Sequence, residues 1–212
     1  MSMSGAPKRL MPVPEAGQRW GILGGTFDPV HYGHLSLARQ VGLLEALSAV
    51  LLIPAHSHPF KGTPLLADYS HRAAMLNLAT QDSPDLIVCE IEKEEELPGY
   101  TLDTLRALKK RFPGVHFYFI IGLDNLARVT EWHDPESILN EATLLVGARE
   151  GADWQVPEAI PSNRVRFVYT DEVNVSSTAI RDAIASGKSD EFLRKLMPDE
   201  VVRYIRQNGL YR

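Results

Sequence analysis

The stretch WGILGGTFDPVHYGHLSLARQVGLLEAL, residues 20–47, decides the fold. Its first four residues form a short apolar run of strand type. From His34 onward, Leu37, Val41 and Leu44 recur at helical spacing. Between the two lie Gly24, Gly25, the Asp28-Pro29 pair and Gly33, residue types that turn a chain rather than extend it. Strand, tight turn and helix open a βαβ unit, so the spacing predicts a parallel sheet covered by helices.

The pattern repeats downstream. AVLLIP (49–54), LIVCEI (86–91), HFYFII (116–121), ATLLVG (142–147) and RVRFVY (164–169) have the length and the β-branched or aromatic content of buried strands. YSHRAAMLNLAT (69–80) and TLDTLRALKKRF (101–112) carry helical periodicity, and from Ser177 on the chain reads as helices broken by Gly187 and Pro198. The expected class is α/β: a Rossmann-like, doubly wound, mostly parallel sheet flanked by helices, with a C-terminal helical segment. Residues 1–19, with Pro7, Pro12 and Pro14, read as a loose leader, and 20–212 as a single domain. The acidic run EKEEELPG (92–99) reads as a solvated connection with the position of a flap. Ligands of such sheets bind beyond the carboxyl ends of the strands, where strand order reverses, and the motifs below all follow strands.

Composition narrows the partners. In 212 residues, 44% are hydrophobic and 23% charged, which is the balance of a globular chain. The net charge of −5 supplies no general basic field for a nucleic-acid backbone, so small phosphorylated ligands are expected rather than DNA or RNA. Cys89 is the only cysteine, which excludes an internal disulfide and a cysteine-rich metal site and suggests a reducing cytoplasm. No run approaches the length of a membrane span. A homo-oligomer is left open.

The turn itself points to an anion. Gly24 and Gly25 clear the backbone for close approach, and Gly33 lets the helix begin with free amides that attract negative charge. His31 and His34, three apart, project from one side of that helix start. Zinc is the rival reading, but His56, His58, His71, His116 and His133 are scattered without ligand spacing, so no metal site is expected. Near the other end, Ser176, Ser177 and Thr178 form a helix N-cap cluster, with Arg181 one turn in as a fixed cation beside a second amide-rich helix start.

GGTFDPVHYGHL (24–35) resembles the signature of the HxGH nucleotidyltransferases, and VSSTAIR (175–181) resembles their ISSTxIR element. GYTLDTL (99–105), FIIGLDNLARVTEWHDPESIL (119–139), HRAAML (71–76) and YIRQNGLY (204–211) are similar to segments of the nicotinate mononucleotide adenylyltransferases among them. The resemblance spans nearly all of 20–211 and implies transfer of AMP from ATP to nicotinate mononucleotide with Mg²⁺. It implies that His31, His34, Lys61 and Arg181 act on the phosphates. Gly24, Gly25, Thr26, Phe27, Gly122, Asp124, Ser176, Ser177 and Thr178 would hold ATP, the first motif at the α-phosphate and the second at the β- and γ-phosphates. Tyr100, Thr101, Trp132 and Arg149 would hold the mononucleotide, its ring stacked on Trp132. The chain departs from the family pattern at PAHSHPFK (54–61), Leu123, Pro98-Gly99 and GARE (147–150), positions that bear on the acceptor. Nicotinamide mononucleotide and phosphopantetheine are the rival acceptors. A non-catalytic nucleotide- or RNA-binding module is the more distant alternative.

Overall fold

The computed structural model describes residues 11–56, 66–151, 155–171 and 173–212. Six strands, β1 (Arg19–Gly25), β2 (Ala49–Pro54), β3 (Leu86–Val88), β4 (His116–Gly122), β5 (Thr143–Ala148) and β6 (Val165–Tyr169), form one sheet in the order β3-β2-β1-β4-β5-β6. All five pairings are parallel. This is the doubly wound order expected from the alternation, with its reversal between β1 and β4.

Successive strand residues go to opposite faces, and both faces are buried. Leu23, Val50, Leu52, Ile120 and Leu145 enter one core with α1 (Tyr32–Leu44), α2 (Tyr69–Thr80), α7 (Ser177–Ala185) and α9 (Asp199–Asn208). Ile22, Leu51, Ile53, Phe119, Ile121 and Leu144 enter the other with α4 (Thr101–Arg111) and α6 (Pro135–Glu141). Short helices α3 (Ile91–Glu94), α5 (Leu123–Leu126) and α8 (Asp190–Leu193) complete the chain. Ahead of β1, Met11 packs against the second core and the Gly17 amide donates to Gly114 O in the loop between α4 and β4, while Val13 is exposed.

Two local expectations are corrected. The strand expected over 86–91 stops at Val88: β3 is an edge strand paired with β2 alone, and the chain leaves it to start α3 at Ile91. Helix α1 begins and ends earlier than its apolar spacing suggests; Leu44 closes it with 59% of its surface exposed, and Leu35, Ala38 and Val41 carry the buried face.

Candidate nucleotide-binding site

Between β1 and β4 the strand order reverses, and Gly25 and Gly122 end those two strands. A side chain at Gly122 would lie 2.7 Å from Asp124 Oδ1, so the exposed Asp124 carboxylate folds over that glycine in the first turn of α5. The residues expected to meet adenosine are thus brought to the crevice mouth.

The first motif is held more firmly than a surface turn. Phe27 has φ 49°, in the left-handed region, and its ring is fully buried against Gly25 and edge-on to His34 at 4.9 Å between centroids. With the ring buried, the backbone of Phe27 is the part of this residue that faces the crevice end of β1. Asp28 is buried, and its carboxylate accepts from the amides of Leu66 and Ala67. Thr26 gives its carbonyl to Arg72 Nη1 at 2.7 Å.

His31 is the N-cap of α1 and His34 lies in its first turn, with the rings stacked at 3.7 Å between centroids and 26° between planes. The pair is therefore brought together as its spacing suggested. Gly33 has a different role from the one expected. A Cβ there would lie 3.0 Å from the His31 ring and 3.2 Å from the carbonyl of Val173, so glycine makes room for the imidazole pair. The Tyr32 amide donates to Leu196 O, which removes one first-turn amide from those expected to meet an anion.

Both imidazoles are neutral near pH 7. Burial lowers the His31 pKa to about 4. Burial first, and the neighbouring His31 second, take His34 well below the ordinary value. The Nδ1 atom of each ring is buried without a hydrogen-bond partner. An unsatisfied pair of this kind carries a standing cost, and an anion's oxygens would relieve it.

The second motif closes directly on the first. Ser176 is the N-cap of α7, its Oγ accepting from the Ala179 amide, as the cap cluster predicted. Ser177 Oγ donates to Pro29 O at 2.9 Å, and Arg181 donates through Nη1 to Asp28 O at 2.9 Å and through Nη2 to Thr178 Oγ1 at 3.2 Å. Ser177 is thus engaged in joining the motifs, while Ser176 and Thr178 remain exposed at the helix start.

On the other side of the crevice Tyr100 is the N-cap of α4, with Thr101 its first residue. Tyr100 lies over His133 at 4.5 Å, and the half-buried Trp132 meets Phe119 of β4 edge-on at 5.8 Å. His133, which sequence reasoning set aside as a scattered histidine, joins this aromatic group. Arg149 is exposed just past β5, one strand beyond β4. Lys61 lies outside the described residues.

Residues 22–183 match the cytidylyltransferase-like family. The chain is 36% identical over 191 residues to the nicotinate-nucleotide adenylyltransferase of Bacillus subtilis, covering 90% of this chain and 97% of that protein. It is 39% identical over 200 residues to a Roseiflexus castenholzii protein named "Probable nicotinate-nucleotide adenylyltransferase", covering 92% and 98%. The chain belongs to the nicotinate-nucleotide adenylyltransferases. The nicotinic acid mononucleotide adenylyltransferase of Plasmodium falciparum, solved with NaAD, shares the fold at a TM-score of 0.74 and 19% identity, covering 92% of this chain and 97% of that one.

Within this adenylyltransferase two buried charges escaped the sequence reading. Arg72, in HRAAML, is 1% exposed and donates to the carbonyls of Thr26, Ala55 and Ala67. Glu92 opens the acidic run expected to be solvated, yet it is buried; it accepts from the His56 amide at 3.0 Å and from Thr104 Oγ1 at 2.8 Å, and burial raises its pKa. Glu94 and Glu95 behave as expected of a charge run, pairing at the surface with Arg111. Residue type alone gave no signal separating Glu92 from its neighbours.

Proposed function

We propose that this chain transfers the adenylyl group of ATP to nicotinate mononucleotide, giving nicotinate adenine dinucleotide and pyrophosphate. The observation that carries the reading is the stacked, unsatisfied His31–His34 pair at a topological switch, locked to the second motif through Ser177 and Arg181. The named relatives support the acceptor.

A phosphate oxygen of the mononucleotide attacks the α-phosphorus of ATP in line. The new bond joins that oxygen to the α-phosphorus, and the bond from the α-phosphorus to the bridging oxygen breaks, so that pyrophosphate leaves with the electron pair. The nucleophile is already anionic, so no side chain has to remove a proton. Catalysis then rests on orientation and on stabilising charge at the transferring group. Neutral imidazoles suit this: each offers one N–H donor, and each gains basicity when phosphate oxygens approach. Arg181, half-buried and fixed by Asp28 and Thr178, adds a permanent positive charge beside the start of α7. Lys61 is proposed as a further cation for the triphosphate. Tyr100, Thr101, Trp132 and Arg149 are proposed to hold the mononucleotide, with Trp132 as the stacking surface.

The donors gathered here are imidazoles, a guanidinium and helix amides, which suit phosphate oxygens, and among the described residues no three His, Cys, Asp or Glu converge as metal ligands. Mg²⁺ is accordingly proposed to ride on the triphosphate, where it neutralises charge and keeps much of its water. A cytoplasmic setting is proposed from the single cysteine, Cys89; among the described residues no helix is long and apolar enough to cross a membrane.

The test is turnover with Mg-ATP and, separately, nicotinate mononucleotide, nicotinamide mononucleotide and phosphopantetheine, followed by pyrophosphate release. Nicotinate mononucleotide is expected to give the highest kcat/KM. Higher kcat/KM with either other acceptor, or ATP binding without pyrophosphate from any of them, defeats the reading.

A further inference from the structure

Asp28 is the centre of a buried polar knot that the transfer chemistry does not itself employ. Besides the amides of Leu66 and Ala67, its carboxylate accepts from the hydroxyl of Tyr211, at 2.6 Å. Tyr211 reaches it from across the whole chain, beyond the end of α9. There Gly209 and Tyr211 both have φ 62°, and the Leu210 amide donates back to Ile205 O. A tyrosine in the left-handed region is uncommon and persists only where its surroundings hold it. Here the ring is buried in the core shared with α9, and its hydroxyl is delivered to the one turn that leads into His31.

The same turn is gripped along its backbone. Arg72 holds Thr26 O and Arg181 holds Asp28 O. The Arg72 charge also faces the carboxylate, and among the described residues the hydrogen bonds that orient it come from two amides and Tyr211. The two amides belong to residues 66 and 67, which leaves Tyr211 as the side-chain donor among the described residues. An O–H donated to a carboxylate at this length is of the charge-assisted kind, about twice as strong as a neutral hydrogen bond.

We propose that Tyr211 is a positioning residue for adenylyl transfer: through the Asp28 carboxylate, its hydroxyl fixes the turn that presents the stacked His31 and His34 rings to the transferring phosphate. The inference rests on the proposed function for its kinetic reading, but not for its structural one.

Tyr211→Phe removes the hydroxyl and keeps the ring in the core. Tyr204→Phe is the control; it deletes a hydroxyl on α9 that meets His71 Nδ1 at 3.0 Å. Tyr211→Phe is expected to lower kcat about tenfold, the worth of a hydrogen bond to a charged group, with KM for ATP little changed and a thermal midpoint close to that of the control. Tyr204→Phe should turn over at the wild-type rate. In ligand-free protein, long-range ¹H–¹⁵N imidazole spectra should show the His31 and His34 signals displaced by Tyr211→Phe and not by Tyr204→Phe. In an Asp28→Ala background, which leaves the hydroxyl no acceptor at that position, Tyr211→Phe should cost no further activity, because the hydroxyl acts through that carboxylate. Wild-type kcat with unmoved imidazole signals, a loss no larger than the loss of folded protein, or a full additional loss on Asp28→Ala overturns the proposal. Should the wild type give no dinucleotide from any acceptor, the functional reading falls alone, and the imidazole spectra decide the role of Tyr211.

Discussion

Acid should weaken this fold through His31, and by an amount the structure sets. The ring is 5% exposed and its pKa is lowered by burial from 6.5 to about 4. As pH falls through the ordinary histidine range, the unfolded chain takes up a proton that the folded chain refuses. Stability is therefore complete above the unfolded value and falls between about pH 6.5 and about pH 4. Below that the folded ring protonates too and the loss levels off. At 1.36 kcal/mol per tenfold change in proton affinity, the full loss is roughly 3 kcal/mol. Urea unfolding at about pH 7 and about pH 4, for the wild type and for His31→Gln, measures this contribution, since glutamine does not titrate. The carboxylates titrate in both proteins, and His34 in the variant keeps the lowering by burial but loses that from His31, so the difference in slope reports His31 together with its effect on His34. The variant should lose about 3 kcal/mol less on acidification. Parallel pH profiles would refute the view that burial keeps His31 neutral. The same linkage runs in reverse on binding: ATP should pull protons onto the pair near pH 5 to 6, seen calorimetrically as a buffer-dependent binding enthalpy.

Three further outcomes follow from other contacts. His34→Ala is expected to lower kcat by about 10²- to 10³-fold while ATP affinity changes far less, because its contact strengthens as charge develops; near-normal turnover would remove it from the site. Gly33→Ala places a methyl 3.0 Å from the His31 ring and 3.2 Å from the Val173 carbonyl, so kcat should fall with only a small change in urea midpoint, and an unaltered kcat would show that the ring has room to give. Arg72→Met deletes three carbonyl partners and the buried cation facing Asp28 and Glu92; equilibrium unfolding should show a loss of about 3–5 kcal/mol, and a loss under 1 kcal/mol would count against the knot as a stabilising unit.

Periodicity carried most of the fold, because both of its signals are local. Buried parallel strands read as apolar runs whatever their neighbours, and the order around β1 follows from right-handed crossovers. Strand β3 was overextended because an apolar run continues past the point where pairing ends; Ile91 is as buried in a helix as it would be in a strand. In the site, the two histidines and the cap at Ser176 were legible from spacing alone. What escaped were residues whose role depends on partners far along the chain. Glu92 is buried because His56 and Thr104 meet it, and Arg72 because three carbonyls converge on it. The burial of the Phe27 ring in the space that Gly25 leaves was not legible either, because it depends on how the turn folds back on β1.

The bonds from Ser177 to Pro29 and from Arg181 to Asp28 join residues 148 and 153 positions apart. Contacts of that span form late, since the intervening chain must be ordered before they can close. During synthesis the first motif emerges early, but it has no counterpart until α7 has been made. Neither Asp28 nor the turn around it can be secured before the last helices dock. A growing chain would thus be unable to engage nucleotide until α7 and α9 have been made, so activity regained during refolding should lag behind the appearance of helix and sheet.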